Sequence, residues 1–221
     1  MMHQALYAVY GASGFGREVM PLARAQLLAL GVPHNRLVFV DDAADEGQTT
    51  NGQRVMRYES FLAEPAEARF AALAIANNLV REKLADRLRN DGVMPWSLAA
   101  ANVVVLDDVA VGEGALLCPF VTLTSNIRIG RQFHANIYSY VAHDCVIGNF
   151  VTFAPSVKCN GNVFIEDHAY IGTGAVIKQG KPGEPLVIGR GAVVGMGAVV
   201  TKNVPAGATV VGNPARIMNK D

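Results

Sequence analysis

From about residue 99 onward the apolar positions recur every six residues. Stepping by six from Val105 gives Val105, Val111, Leu117, Leu123, Ile129, Ala135, Val141, Ile147, Phe153, Cys159, Ile165, Ile171 and Ile177. A five-residue insertion, KPGEP at 181–185, shifts the frame, and Ile188, Val194 and Val200 continue it. All sixteen positions are apolar. At about one apolar residue in two, chance gives that less than about once in ten thousand frames. The residue two positions earlier is apolar in fifteen of the sixteen hexads, with Ser139 the exception. Small or turn-tolerant residues often follow the inward position, as at Gly112, Gly130, Gly148, Gly172, Gly189 and Gly195. A β-sandwich predicts no strict period of six, whereas a parallel β-helix with three short faces does. Each hexad then supplies one strand and one turn, and a coil takes eighteen residues.

The first 98 residues follow a different grammar. Strand-like Leu6–Tyr10 ends at Gly11, and helical spacing runs from Phe15 to Leu30. Leu37–Val40 is a second strand, followed by Asp41 and Asp42. After a polar, turn-rich stretch, Tyr58–Leu62 reads as a short helix, Phe70–Ala76 as a third strand, and Arg81–Arg89 as a charged helix. That alternation predicts a small parallel sheet with crossover helices. The expected fold class is therefore α/β plus β. A small Rossmann-like domain, 1–98, precedes a β-helix, 99–221.

Composition agrees with this division. The chain is 51% apolar but only 7% aromatic, as a narrow prism built mainly from small and branched aliphatics favours. Nineteen basic residues balance nineteen acidic ones, which argues against a whole-chain nucleic-acid or membrane-surface binder. Neutrality hides an uneven spread. Residues 1–98 sum to −1, the rest to +1, and the last 44 to +4, from Lys178, Lys181, Arg190, Lys202, Arg216 and Lys220 against Glu184 and Asp221. That local excess suits a phosphate-bearing ligand, and equally a solvated surface. Three cysteines, Cys118, Cys145 and Cys159, with no CxxC spacing, argue against a disulfide framework or zinc clip. Cys159 takes an inward position, and all three suit small core or corner sites. The N-terminus has no signal-peptide pattern and no apolar run reaches membrane-spanning length, so a cytoplasmic setting is expected.

Chemistry-bearing residues follow from the repeat. His143 lies two residues past the inward Val141, at a corner facing out of the prism, and Asp144 follows it. One coil later stands Gly161, stacked on the same edge. A neighbouring carboxylate fixes an imidazole's tautomer, and a glycine leaves its N–H open to approach. His134 and His168 lie 9 and 25 residues from His143. Neither spacing matches a neighbouring coil, so no metal site is expected. His3 and His34 read as surface residues. Asn136 follows the inward Ala135 and suits either a ligand contact or a left-handed turn. In the first half, Gly11, Gly14 and Gly16 join strand to helix with spacing G-x-x-G-x-G. This suits a phosphate at a helix N-terminus, or a tight turn alone.

These residues resemble the hexapeptide-repeat acyltransferases, which fold as left-handed β-helices. The closing segment GMGAVVTKNVPAGATVVGNPARIMNK resembles the usual end of that helix and its exit. GASGFGREV, FVDD and ALAIANN with Arg81 resemble the subgroup that acylates nucleotide-linked sugars. That subgroup includes sialic acid O-acetyltransferase-like proteins and N-acetyltransferases of UDP-4-amino sugars and GDP-perosamine. Two features depart from the pattern: SLAAANVVV replaces an IHPSA-like lead into the helix, and the KPGEP insertion is not universal.

The resemblance implies an acetyl-CoA-dependent N-acetyltransferase acting on a nucleotide-linked amino sugar of the 4-amino-4,6-dideoxy type, in surface glycan biosynthesis. An O-acetyltransferase and a non-catalytic nucleotide-sugar-binding trimer are the alternatives. It also implies His143 as general base, Asp144 as its partner, and the Gly161 amide as receiver of the thioester carbonyl. Gly11, Ser13, Gly14, Phe15, Gly16, Asp41, Asp42, Asn77, Arg81 and Asn136 would bind the nucleotide sugar, Asp41 and Asp42 at base and ribose. Gly161, Lys178, Gly195, Ala198, Lys202 and Arg216 would hold coenzyme A, with Gly195 and Ala198 offering backbone groups to the pantetheine arm. The family implies homotrimers with active sites between subunits.

Overall fold

A computed structural model describes residues 4–45 and 47–218, so His3, Lys220 and Asp221 lie outside the described residues. Two compact units divide between Ala99 and Ala100.

The first unit is Rossmann-like. Its elements are β1 (Leu6–Tyr10), α1 (Gly14–Ala29), β2 (Leu37–Val40), β3 (Thr49–Thr50), β4 (Gln53–Met56), α2 (Tyr58–Ala63), β5 (Arg69–Leu73), α3 (Asn78–Asn90) and β6 (Met94–Pro95). The sheet order is β3-β4-β2-β1-β5-β6, parallel except for the β3–β4 hairpin. Every residue of β1 and β2 is buried, which is why both read as unbroken apolar runs. The hairpin falls within and just after the stretch that reads as a polar turn. Arg54 of β4 faces solvent, while Val55 and Met56 are buried and pair in register with Phe39 and Val40 of β2. The chain runs from β1 to β2 on one side of the sheet and to β5 on the other. The crevice of such a sheet lies at that reversal, outside the carboxyl ends of the strands.

The second unit is a left-handed parallel β-helix. Strands pair residue i with i+18: Leu123 with Val141, Val141 with Cys159, Cys159 with Ile177. Past the insertion the step is 23, as in Ile177 with Val200. Lys181 and Glu184 bridge across Pro182 and Gly183, so the insertion leaves the coil as a tight turn and the stacking resumes unchanged. Of the sixteen inward positions, all are buried except Val105 and Val111, at 49% and 37% exposure in the opening coil. Ser139, the polar exception one register earlier, is also buried. Its hydroxyl donates to Ala154 O at 3.0 Å and accepts from Val157 N at 3.1 Å. A buried hydroxyl is tolerated when so satisfied.

The corners obey two rules. Where glycine follows the inward residue, a Cβ would strike the backbone of the next coil, as Gly112 would meet Gly130 C at 2.6 Å. Two residues further on the chain turns left-handed, even at Phe120 (φ 64°), Tyr138 (φ 59°), Asp144 (φ 57°) and Phe150 (φ 57°). Asn136 is not among these; Tyr138 takes the left-handed position of its corner. The left-handed-turn reading of Asn136 is corrected accordingly.

Candidate active site

The register of one face sets the site. Val141, Cys159, Ile177 and Val200 stack in line, so the residues two places on form one edge: His143, Gly161, Gln179 and Lys202. The His143 Nδ1 lies 2.7 Å from Asp144 Oδ2, and both side chains are about half exposed. The left-handed turn at Asp144 folds its carboxylate back beside the ring. With Nδ1–H facing the carboxylate, Nε2 carries the free lone pair. Asn126, eighteen residues before Asp144, donates to Asp144 Oδ1 at 3.1 Å. Hydrogen bonds to His143 and then to Asn126 hold the Asp144 carboxyl below its ordinary pKa, so it stays an anion well into the acid range.

Gly161 packs on the imidazole. A Cβ there would meet His143 Cε1 at 2.5 Å and Nε2 at 2.6 Å. Gly161 is itself buried beneath that ring. Ladder bonds on this edge run from the flanking amides, Asn160 N to Ile177 O and Asn162 N to His143 O. The Gly161 N–H has no acceptor among the described residues. Lys202 of this edge and Lys178, one residue before Gln179, are exposed, and the KPGEP turn begins one residue beyond Gly180, whose N–H bonds Gly161 O.

Other expected ligand residues are placed differently. Gly195 and Ala198 have no N–H to offer a pantetheine arm. The Gly195 amide bonds Val210 O, and the Ala198 amide bonds Gly195 O. These amides hold the coil together, so of the backbone groups only the carbonyl oxygens remain to meet a pantetheine arm. Arg216 is exposed on the closing antiparallel pair, Thr209–Val211 with Arg216–Ile217. Asn136 lies at the preceding corner of the His143 coil, its Oδ1 accepting from Ile137 N at 2.7 Å. His134 is buried within a strand, and His168 stacks on Phe150.

In the Rossmann-like unit, the segments after β1, β2 and β5 converge at the carboxyl end of the sheet. Gly16 is obligatory there, because a Cβ would lie 1.8 Å from Gly11 O. Gly11 has φ 104°, a conformation side chains disfavour. Ser13 is the N-cap of α1 with no cap hydrogen bond from its side chain, and Ser13 and Gly14 are exposed. Phe15 is half-buried beside them. Asp41 is bound inside the loop, its Oδ2 accepting from Ala12 N at 3.0 Å and its Oδ1 from Ala43 N at 3.1 Å. Asp42 accepts from Tyr10 OH at 2.7 Å and pairs with Arg87 at 3.8 Å. Asn77 caps α3 by accepting from Val80 N. Arg81 is fully buried and donates to Ile75 O at 2.7 Å and Ala76 O at 3.3 Å. The reading of Arg81 as a ligand contact is corrected: it holds the loop from beneath and shows no surface.

A GDP-perosamine N-acetyltransferase of Escherichia coli O157:H7 is 52% identical over 215 residues, which cover 97% of each chain. The present chain belongs to the nucleotide-sugar N-acetyltransferase family. Its residues 7–88 match the PglD N-terminal domain family. WeeI from Acinetobacter baumannii AYE shares 61% identity and superposes with a TM-score of 0.94, over 97% of this chain and all of that one. A histidine-to-asparagine mutant of perosamine N-acetyltransferase from Caulobacter crescentus, solved with CoA and GDP-perosamine, is 25% identical with a TM-score of 0.82 over 97% of each chain. In this nucleotide-sugar N-acetyltransferase the histidine edge follows from the β-helix register alone, since eighteen residues make one vertical step.

Asn126 was within reach of the same arithmetic that links His143 to Gly161, because 126 is 144 less one coil. Its contribution is measurable. Asn126→Gly, which keeps the left-handed backbone, should lower kcat by about two- to ten-fold, the worth of one hydrogen bond. Steady-state kinetics should show unchanged KM, and a carboxyl NMR titration should show the Asp144 pKa rising toward its ordinary value.

Proposed function

We propose that the protein transfers an acetyl group from acetyl-CoA to the amino group of a nucleotide-linked 4-amino-4,6-dideoxy sugar. GDP-perosamine is the first candidate, on the strength of the relative that shares its full length. The observation that carries the chemistry is the His143–Asp144 pair packed against the Gly161 amide. The sugar amine attacks the thioester carbonyl while His143 Nε2 takes its proton. Asp144, kept anionic by its two partners, stabilises the imidazolium. The tetrahedral oxyanion receives the Gly161 N–H. Collapse breaks the C–S bond, and the thiolate recovers the proton from His143. A thiolate leaves readily because thiol pKa is ~8.5.

Lys202 on the His143 edge and Lys178 beside it would meet the phosphates of coenzyme A. Ser13, Gly14 and the α1 N-terminus would hold the nucleotide diphosphate, where amides and helix dipole favour an anion. Asn77 and Asn136 keep their side-chain amino groups for sugar or base, while Asp41 and Asp42 serve mainly to shape the loop that receives the ribose. A homotrimer fits the helix surface. Val146 and Phe164 pair on the face that follows the His143 corner, and each is about 40% exposed. Packing such faces together would bring a second chain to the His143 edge. The setting we assign is cytoplasmic assembly of a surface glycan.

The test is thiol release. With acetyl-CoA, GDP-perosamine should liberate CoA and yield the 4-acetamido sugar by mass spectrometry. The 4-hydroxy analogue should not react. Transfer to the hydroxyl analogue alone would make the protein an O-acetyltransferase, and no release with any acceptor would leave a binding protein.

A further inference from the structure

Behind the His143–Gly161 edge, two buried thiols converge on one peptide. Asn160 O accepts from Cys145 Sγ at 3.3 Å, and Cys159 Sγ lies 3.8 Å from the same oxygen. Both cysteines have no exposed surface. Among the described residues no backbone N–H donates to this carbonyl. The Asn160 side chain is strapped as well: its Oδ1 accepts from Tyr140 OH at 2.8 Å, and its Nδ2 donates to Ile177 O at 2.8 Å. The peptide bond from Asn160 to Gly161 is trans. Its C=O and N–H lie in one plane and point opposite ways. A carbonyl drawn toward the thiols inside the prism therefore turns the Gly161 N–H away from them.

We propose that Cys145, assisted by Cys159, is a positioning residue for acyl transfer: its S–H holds the Asn160 carbonyl and so aims the Gly161 amide at the thioester oxygen. This rests on the function proposed above. Hydrogen bonding at the carbonyl also polarises the peptide and strengthens its N–H as a donor. The hydrogen bond to Cys145, and then burial, hold the Cys159 thiol well above its ordinary pKa, so it keeps its proton. The same contact draws Cys145 downward. Cys145 nevertheless faces two carbonyl oxygens, Asn160 O at 3.3 Å and His143 O at 3.6 Å. A thiolate would be repelled by both, so the neutral thiol is the form this geometry holds.

The test is the order of three variants of the full-length protein, Cys145→Ser, Cys145→Ala and Cys145→Val, with kcat, both KM values and the affinity for CoA. CoA lacks the acyl carbonyl, so its binding should not move. Serine keeps the donor and should hold kcat within about two-fold, whereas alanine and valine should lower it about five- to ten-fold. A packing role predicts the reverse, with the apolar variants active and the buried hydroxyl harmful. That order, or equal kcat in all, overturns the proposal. Serine keeps the donor and cannot overfill the site, so a folded serine variant with lost kcat overturns it even if alanine and valine do not fold. Absence of CoA release by the unmodified protein would instead overturn the function itself. An active protein that is crippled by His143→Ala but indifferent at Cys145 would overturn only the positioning role.

Discussion

Replacing His143 by Ala should lower kcat by about 10²–10⁴, the usual worth of a positioned general base. The nucleotide-sugar KM should stay within a few-fold, because the imidazole acts on the proton of the attacking amine and not on the nucleotide. Folding should be little affected, since the side chain is 56% exposed and its hydrogen-bond partner Asp144 is bonded to Asn126 as well. Thiol release under saturating acetyl-CoA measures the loss, and a thermal melt separates it from unfolding. Unchanged kcat would remove His143 from the mechanism. Asp144→Asn should cost less, since the amide still meets the ring but cannot stabilise its charged form; a smaller fall for this variant than for His143→Ala marks Asp144 as the supporting group.

Much of this site was legible in the sequence because the β-helix converts spacing into position. A strict period of six makes eighteen residues a vertical step, and that step alone stacks Gly161 on His143. The same step carried no message about conformation. Left-handed backbone at Phe120, Tyr138 and Phe150 follows from the tertiary repeat, which overrides the preference of bulky residues for other regions. Asn136 carried the residue type of such a turn but occupies the wrong place in the corner. Gly195 and Ala198 offer less open backbone than their residue types suggest for a related reason: the coil has already engaged their amides. In the Rossmann-like unit the apolar strands β1 and β2 announce themselves. The β3–β4 hairpin does not, because Thr49, Thr50, Gln53 and Arg54 give it a polar sequence although Gln53, Val55 and Met56 are buried. Arg81 entered through the resemblance alone, which carries no information on burial; in the structure two loop carbonyls take donors of its guanidinium.

Gly161→Ala should lower kcat by about 100-fold, the scale of loss when a catalytic group is displaced by about 1 Å. The added methyl would sit 2.5 Å from His143 Cε1, 2.6 Å from Nε2 and 2.9 Å from Nδ1. No van der Waals contact is that short, so the ring must move. The only slack is outward, since the ring is exposed and the prism beneath is packed. Moving out breaks the 2.7 Å bond to Asp144 and frees the tautomer that puts the lone pair on Nε2. Backbone strain is not the cause, because Gly161 does not lie in the left-handed region. The melting midpoint should therefore change by only a few degrees while kcat collapses. The double variant His143→Ala/Gly161→Ala separates this cause from others. With no ring to displace, the methyl should add little to the loss from His143→Ala alone, as expected of two residues acting through one contact. Additive losses would instead place the damage at the Gly161 amide, and retained kcat in Gly161→Ala would refute the stacking of acid–base and oxyanion groups on one edge.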